Sequence, residues 1–347
     1  MPLAKRTILF LTIIAMGCTA TRLPAPSDPP PAFVVRGIVL PGAPSEGVFM
    51  DYLAYDRIHQ RVWVPAGNTG SVDVLNVRDD RVERIEGFAT AEVERHGVSR
   101  TVGPSSATVG DGVVFVGNRG NSSVCAVGAE SLHVGSCLTL ESSPDGLAYV
   151  HSTHEVWVTT PRDHSIVVLD AAAATLRWKA KIPLEGQPEG FAVDDARGVF
   201  YTNLEDRDRT LAIDIKSRQV LKTWQPSCGE GGPKGLGLDE SLNVLLVACT
   251  DRVTALDAGH DGKRLSILAT GDGLDNLDYV ESRHELYAAA AHAATLTIAR
   301  LDSRGGLALR AVVTTKPGAR NAVATDDGIA YLTDSSAGQI LVVAPTR

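Results

Sequence analysis

Six ionisable side chains stand at matching points of this chain, each directly before a glycine or asparagine that opens a short apolar run. They are Glu46, Asp145, Glu189, Lys234, Asp275 and Arg320, and Ser106 holds the same place before Ala107. Four carboxylates and two cations brought to one place could bind a polar ligand. Clustered carboxylates also suit a hard divalent ion such as Ca²⁺ or Mg²⁺. Opposite charges pairing around a wet opening would give the same composition without any ligand. A second polar set, Arg119, Asn121, Arg162, His164, Asn203, Glu205 and His292, falls in loops. Loops on a rigid scaffold are where binding residues concentrate, although Asn and Asp are also what tight turns require. Three further histidines, His59, His154 and His284, precede RVWV, EVWV and ELYA. They belong to turns at the opposite ends of their strands and are too widely spread for one metal. His151 and His154 have a metal-like spacing, but no third ligand stands near them. Nucleophile-elbow, zinc-protease, phosphate-cradling and haem-attachment signatures do not occur, so no residue is assigned a catalytic role and no cofactor is implied.

The elements that would position these side chains form a repeat. Gly186–Trp224, GQPEGFAVDDARGVFYTNLEDRDRTLAIDIKSRQVLKTW, contains four short β-rich runs separated by turn residues. That order predicts four antiparallel strands. It recurs along the chain with openings at Gly47, Ala107, Gly146, Gly190, Gly235, Asn276 and Asn321. A period of roughly forty residues with four strands is the mark of a propeller blade, and seven openings predict seven blades. The longer first interval holds an insertion, Gly87–Gly103. Phe33–Leu40 reads as a fourth strand without its first three. Asn321–Thr325, Ile329–Thr333 and Gln339–Val343 read as three strands without a fourth. Joining them closes the ring and removes free sheet edges. The fold class is therefore all-β, a seven-bladed propeller over residues 33–347. First strands line the channel and start at one face, here the mouth face. The loops between second and third strands lie on that same face.

The runs GFAVD, GVFYTN, SIVVLDA and TLAIDIK, with GVVFVGNRGNSSV, resemble the YVTN-type bacterial propellers. That resemblance covers Phe33–Arg347 and speaks for fold far more than for activity. SEGV, PDGL and PEGF offer Glu46, Asp145 and Glu189 where enzymes similar to gluconolactonase and regucalcin hold a divalent ion. The resemblance implies a lactonase-like hydrolase with Asp275 as a further ligand. The asparagines of that pattern are missing, and Lys234 and Arg320 would bring positive charge beside the metal. A third resemblance, to the quinoprotein amine dehydrogenase heavy chain, implies a redox complex with a partner subunit. The first reading remains a non-catalytic binding or scaffold module acting through the mouth face.

Residues 1–17 carry Lys5 and Arg6 and then ILFLTIIAM, a run of signal-peptide type too short to span a bilayer. The sequence IAMGC resembles the lipobox of bacterial lipoproteins. This implies a lipidated Cys18, a proline-rich tether over residues 18–32, and a cell-envelope location facing the periplasm. Thr19 after the cysteine points to the outer membrane. Without Lys5 and Arg6 the chain has 31 basic and 41 acidic residues, and no basic tract. Nucleic acid is thereby disfavoured as a partner. An envelope protein or a small polar ligand is the expected partner, and the body is expected to be a monomer. Four other cysteines allow three connectivities. Blade geometry puts Cys228 and Cys249 together on the mouth face. It also puts Cys125 near Cys137 in one hairpin, about three residues out of register.

Overall fold

The computed structural model describes residues 32–95, 97–172 and 175–346. Cys18, the tether before residue 32 and His96 lie outside them. Among the described residues, seven four-stranded antiparallel sheets and one small two-stranded sheet make up the fold. The fourth blade shows how sequence becomes strand. Pro188–Asp194, Val199–Leu204, Arg209–Asp214 and Val220–Trp224 pair in order from the channel outwards. Val, Phe, Tyr, Thr and Ile dominate these runs, and such side chains fit a pleated, half-buried surface. The aspartates that close the strands make the turns. Asp194 accepts the backbone N–H of Arg197 at 2.8 Å, and Asp214 that of Ser217 at 2.6 Å. Asp239 and Asp257 do the same for Leu242 and for Gly259 and His260. The recurring aspartate is thus turn chemistry.

Ring closure is as the sequence predicts. Phe33–Val39 pairs antiparallel with Gln339–Pro345 from Phe33 against Pro345 to Val39 against Gln339. It completes the blade formed by Arg320–Ala324 and Ala330–Asp334. The apolar core is divided among the seven junctions between neighbouring blades. The junction of the last blade with the first is filled by Leu40, Val48, Met50, Val62, Val64, Tyr331, Ile340 and Val342, so the closing seam is as apolar as the others. Trp63 and Trp157, both on second strands, are wholly buried in such junctions. Every blade buries one face against each neighbour, so no blade has a complete core of its own.

Both cysteine pairs are bridged, with Cα–Cα separations of 4.0 Å for Cys125–Cys137 and 5.1 Å for Cys228–Cys249. The register offset expected for the first pair is absent. Cys125 stands directly opposite Cys137, because the five-residue connection Ala129–His133 is longer than a tight turn and a bulge follows Cys125. The insertion is a hairpin, Ala91–Arg95 paired with Val98–Val102. Its base is tied to the mouth face: Phe88 donates to the Gly70 carbonyl at 3.1 Å and Arg119 to that of Gly103 at 2.9 Å.

Candidate functional site

The first strands of four blades are irregular at their mouth ends. Ladder pairing slips between Pro104 and Ser106, Pro188 and Phe191, Leu274 and Leu277, and Arg320 and Val323. A bulge of this kind re-aims side chains, and here it turns the polar ring towards the channel. Glycine serves the same place differently. A Cβ on Gly190 would stand 2.3 Å from the Lys234 carbonyl oxygen, so only glycine lets neighbouring blades approach this closely.

Five of the six charged ring residues stand where the sequence places them, and one does not. Asp145, Glu189, Lys234, Asp275 and Arg320 surround the mouth. Glu46 is exposed beyond it and accepts from the Ser45 hydroxyl at 3.3 Å. The correct first-blade residue is Asp51, which stands as far before Asp56 as Glu189 stands before Asp194. SEGV imitates an opening, but an extended segment separates it from the short first strand, Ala54–Asp56. The second-blade position is likewise Ser105 rather than Ser106. Both serine hydroxyls are buried and lack a hydrogen-bond partner.

Loop residues complete the ring. Arg119, just after Val113–Asn118, joins two carboxylates: Nη2 donates to Asp51 at 2.9 Å and also to Asp145. Arg320 donates to Asp275 at 2.6 Å and lies 3.7 Å from Asp51. Lys234 pairs with Glu205 at 2.6 Å. Asn321 donates from Nδ2 to Asp51 Oδ1 at 2.8 Å. Asp51, Asp145, Glu205 and Asp275 thus all have a cation, whereas Glu189 has none among the described residues. The Tyr52 hydroxyl donates a hydrogen bond to it at 2.9 Å. Tyr52 belongs to the first blade and Glu189 to the fourth, so this bond crosses the channel. The Tyr52 and Phe191 rings stack with centroids 6.0 Å apart.

The electrostatics follow from that imbalance. Burial, and then the negative charge of Asp145, Asp275, Glu205 and Asp51, push the Glu189 carboxyl well above the usual range. Burial likewise raises Asp145 against the pull of Arg119, and Asp275 against that of Arg320. Tyr52 is raised by burial and by Glu189, so it stays a neutral donor. Burial opposes the charge on Arg119, but Asp145 and Asp51 outweigh it and hold the guanidinium protonated.

Below the mouth lies a central cavity of about 310 Å³, with Tyr52, Leu147, Phe191, Leu236, Asp278 and Asn321 among its walls. Asp278 accepts the backbone N–H of Ala324 at 2.6 Å and of Tyr279 at 2.9 Å, and burial raises its carboxyl against these bonds and the charge of Arg57, which lines the same cavity. Asn321 is buried and its Oδ1 has no partner.

The rim residues do not converge on this ring. Asn203 is buried; it donates to the Lys234 carbonyl at 2.6 Å and accepts from Thr210 at 2.7 Å, so it supports the ring from beneath. Asn121 accepts from the Ser123 hydroxyl within its own turn. Arg162 is exposed, and His164 ends the short turn Pro161–Asp163 in the left-handed region. His292 is exposed beside Asp272, at 3.1 Å. Among the described residues no three or more His, Cys, Asp or Glu side chains are grouped to hold a metal. Asp51 and Tyr52 were not legible in the sequence because neither precedes a glycine or asparagine; their distance from Asp56 was the available signal.

No family model and no curated protein matches the chain. Solved structures do. A streptogramin B lyase aligns at 12% identity with a TM-score of 0.69, over 90% of this chain and 98% of that one. Hydrazine synthase of Kuenenia stuttgartiensis aligns at 15% and 0.69, over 87% and 96%. A catalytically inactive virginiamycin B lyase from Staphylococcus aureus, solved with quinupristin, aligns at 10% and 0.70, over 91% and 100%. At these identities the likeness is one of fold.

Proposed function

We propose that this protein is a non-catalytic binding module of the cell envelope, held to a membrane through Cys18, whose mouth face captures a ligand or a segment of a partner. The observation that carries the reading is Glu189, a half-buried acid with no cation, at the concave end of a rigid ring. Placing such a group there costs stability, and binding sites are where proteins keep such groups. A structure of the mitotic checkpoint complex also aligns, at 15% identity and a TM-score of 0.68 over 94% of this chain. With hydrazine synthase, this supports propellers of this shape as members of assemblies. The lactonase-like alternative has less support, because Arg119 and Arg320 already hold two of the carboxylates it needs.

Site-specific photocrosslinking in intact cells tests the proposal. A photoreactive residue at Arg162 on the mouth-face rim should give discrete adducts. The same residue at Asp195, in the turn after a first strand on the far face, should give none. Adducts from Asp195 alone, or from neither position, would contradict it.

A further inference from the structure

The strand that closes the ring also fixes where the chain enters the body. Phe33–Val39 runs from the far face to the mouth face, because Phe33 pairs with Pro345 and Val39 with Gln339. Gln339 follows the mouth-face turn Ser335–Ala337, so Phe33 stands at the far end. The entry point is held there. The Thr346 backbone N–H donates to the Ala32 carbonyl at 2.8 Å, and the Thr346 hydroxyl donates to the same oxygen at 3.0 Å. Residues 18–32 can reach no further than about 50 Å, whatever their conformation. The wall above the entry point is a strand of 7 residues, a rise of about 23 Å. Bringing the mouth face to a surface at Cys18 would confine the chain along that wall and take up about half of its reach. Bringing the far face there needs no such detour.

The surroundings of the entry point fit a lipid surface. Arg36 of the closing strand pairs with Asp80 at 2.9 Å, which sets the first blade's far-face turn beside that strand. These two blades expose Val34, at 53%, and Ile58, at 77%, towards the far end. The acids of the same region are paired, Asp326 with Arg57 at 3.1 Å and Asp79 with Arg81 at 3.5 Å. Arg78 and Asp327, both exposed, offset one another. An acidic chain is thus close to neutral at this corner, and two apolar side chains there gain from leaving water.

Resting on the Cys18 anchor proposed above, we propose that the far face, at the seam between the last and first blades, lies against the bilayer with Ile58 among the headgroups. The mouth face is then presented away from the membrane. The turn at Asp195 belongs to the fourth blade, across the ring from this seam, and stays clear of lipid.

Photocrosslinking of the full chain in intact cells tests it, with phospholipid adducts read by mass spectrometry. A photoreactive residue at Ile58 should give such adducts, and one at Arg162 on the mouth face at most a tenth as many. Both side chains are exposed, so neither replacement disturbs packing. As much lipid labelling from Arg162 as from Ile58, or none from Ile58, would overturn the proposal. Fractionation of the same cells separates the two readings. Protein that sediments with membranes but gives no Ile58 adduct sinks the orientation and spares the anchor. Protein found wholly in the soluble fraction sinks both.

Discussion

Two far-face aspartates and the acids of the mouth ring are held in opposite ways. On the far face, Asp239 accepts from the Tyr279 hydroxyl at 2.6 Å, stands 2.6 Å from His284 Nδ1, and takes the Ser241 hydroxyl and the Leu242 N–H as well. Burial alone would raise it, but these bonds hold its carboxyl below the usual range. Asp111 repeats the arrangement with Tyr149 and His154, and the Tyr149 hydrogen bond lowers it. Both clusters join neighbouring blades. At the mouth, Asp145, Glu189 and Asp275 are instead held above their usual range. Asp239 and Asp111 gather several hydrogen bonds at turns that hold the fold together, whereas burial outweighs the ion pairs of Asp145 and Asp275, and Glu189 has no ion pair among the described residues. Asp239 contributes stability; Glu189 draws on it.

The contrast requires one closed ring, so its removal has the largest effect. Deleting Phe33–Val39 strips the last blade of its fourth strand and exposes the edge of Gln339–Pro345. Urea unfolding should lose its single cooperative transition; a deletion variant that melts like the parent would refute closure. Next comes the mouth-face bridge. Replacing Cys228 and Cys249 with serine frees a loop with a sequence separation of 21 and should lower stability by about 3 kcal/mol in the chain-entropy model, read as a shift in urea midpoint. Asp239→Asn should cost about 2 kcal/mol, since the amide cannot serve all the donors that now converge there. The sign of its pH dependence follows from the lowered carboxyl: its contribution is present above the unfolded value and lost as pH falls through the folded one. The variant should therefore match the parent in strong acid and fall behind it towards neutrality. The smallest effect is that of chelation. EDTA should leave the melting temperature unchanged, and a clear drop would restore a metal at the mouth.

Much of this was legible in the sequence. Blade number and the closing strand follow from turn spacing, because a four-stranded unit must repeat its punctuation to repeat its fold; the bridges follow from the blade face each cysteine reaches, although the register of Cys125 with Cys137 did not. The ring was legible wherever a charged residue precedes Gly146, Gly190, Gly235, Asn276 or Asn321. It failed at Glu46, where local resemblance to PEGF outweighed the position of the strand itself. The roles of Arg119 and Glu205 could not be read, since both come from loops and their partners sit in other blades. Nor could the Tyr52–Glu189 bond, which spans non-adjacent blades and depends on channel width rather than on any pattern along the chain.

The central claim is that Glu189 serves the channel rather than the fold, and one measurement addresses it directly. Its raised carboxyl implies a contribution to stability that is present below the unfolded value and lost as pH rises through the folded one. Urea titrations of the parent and Glu189→Gln across the pH range should give a variant about 1 kcal/mol more stable at neutral pH, with the gap closing in acid. A variant less stable than the parent at neutral pH would show that the fold needs the carboxylate and would contradict the account.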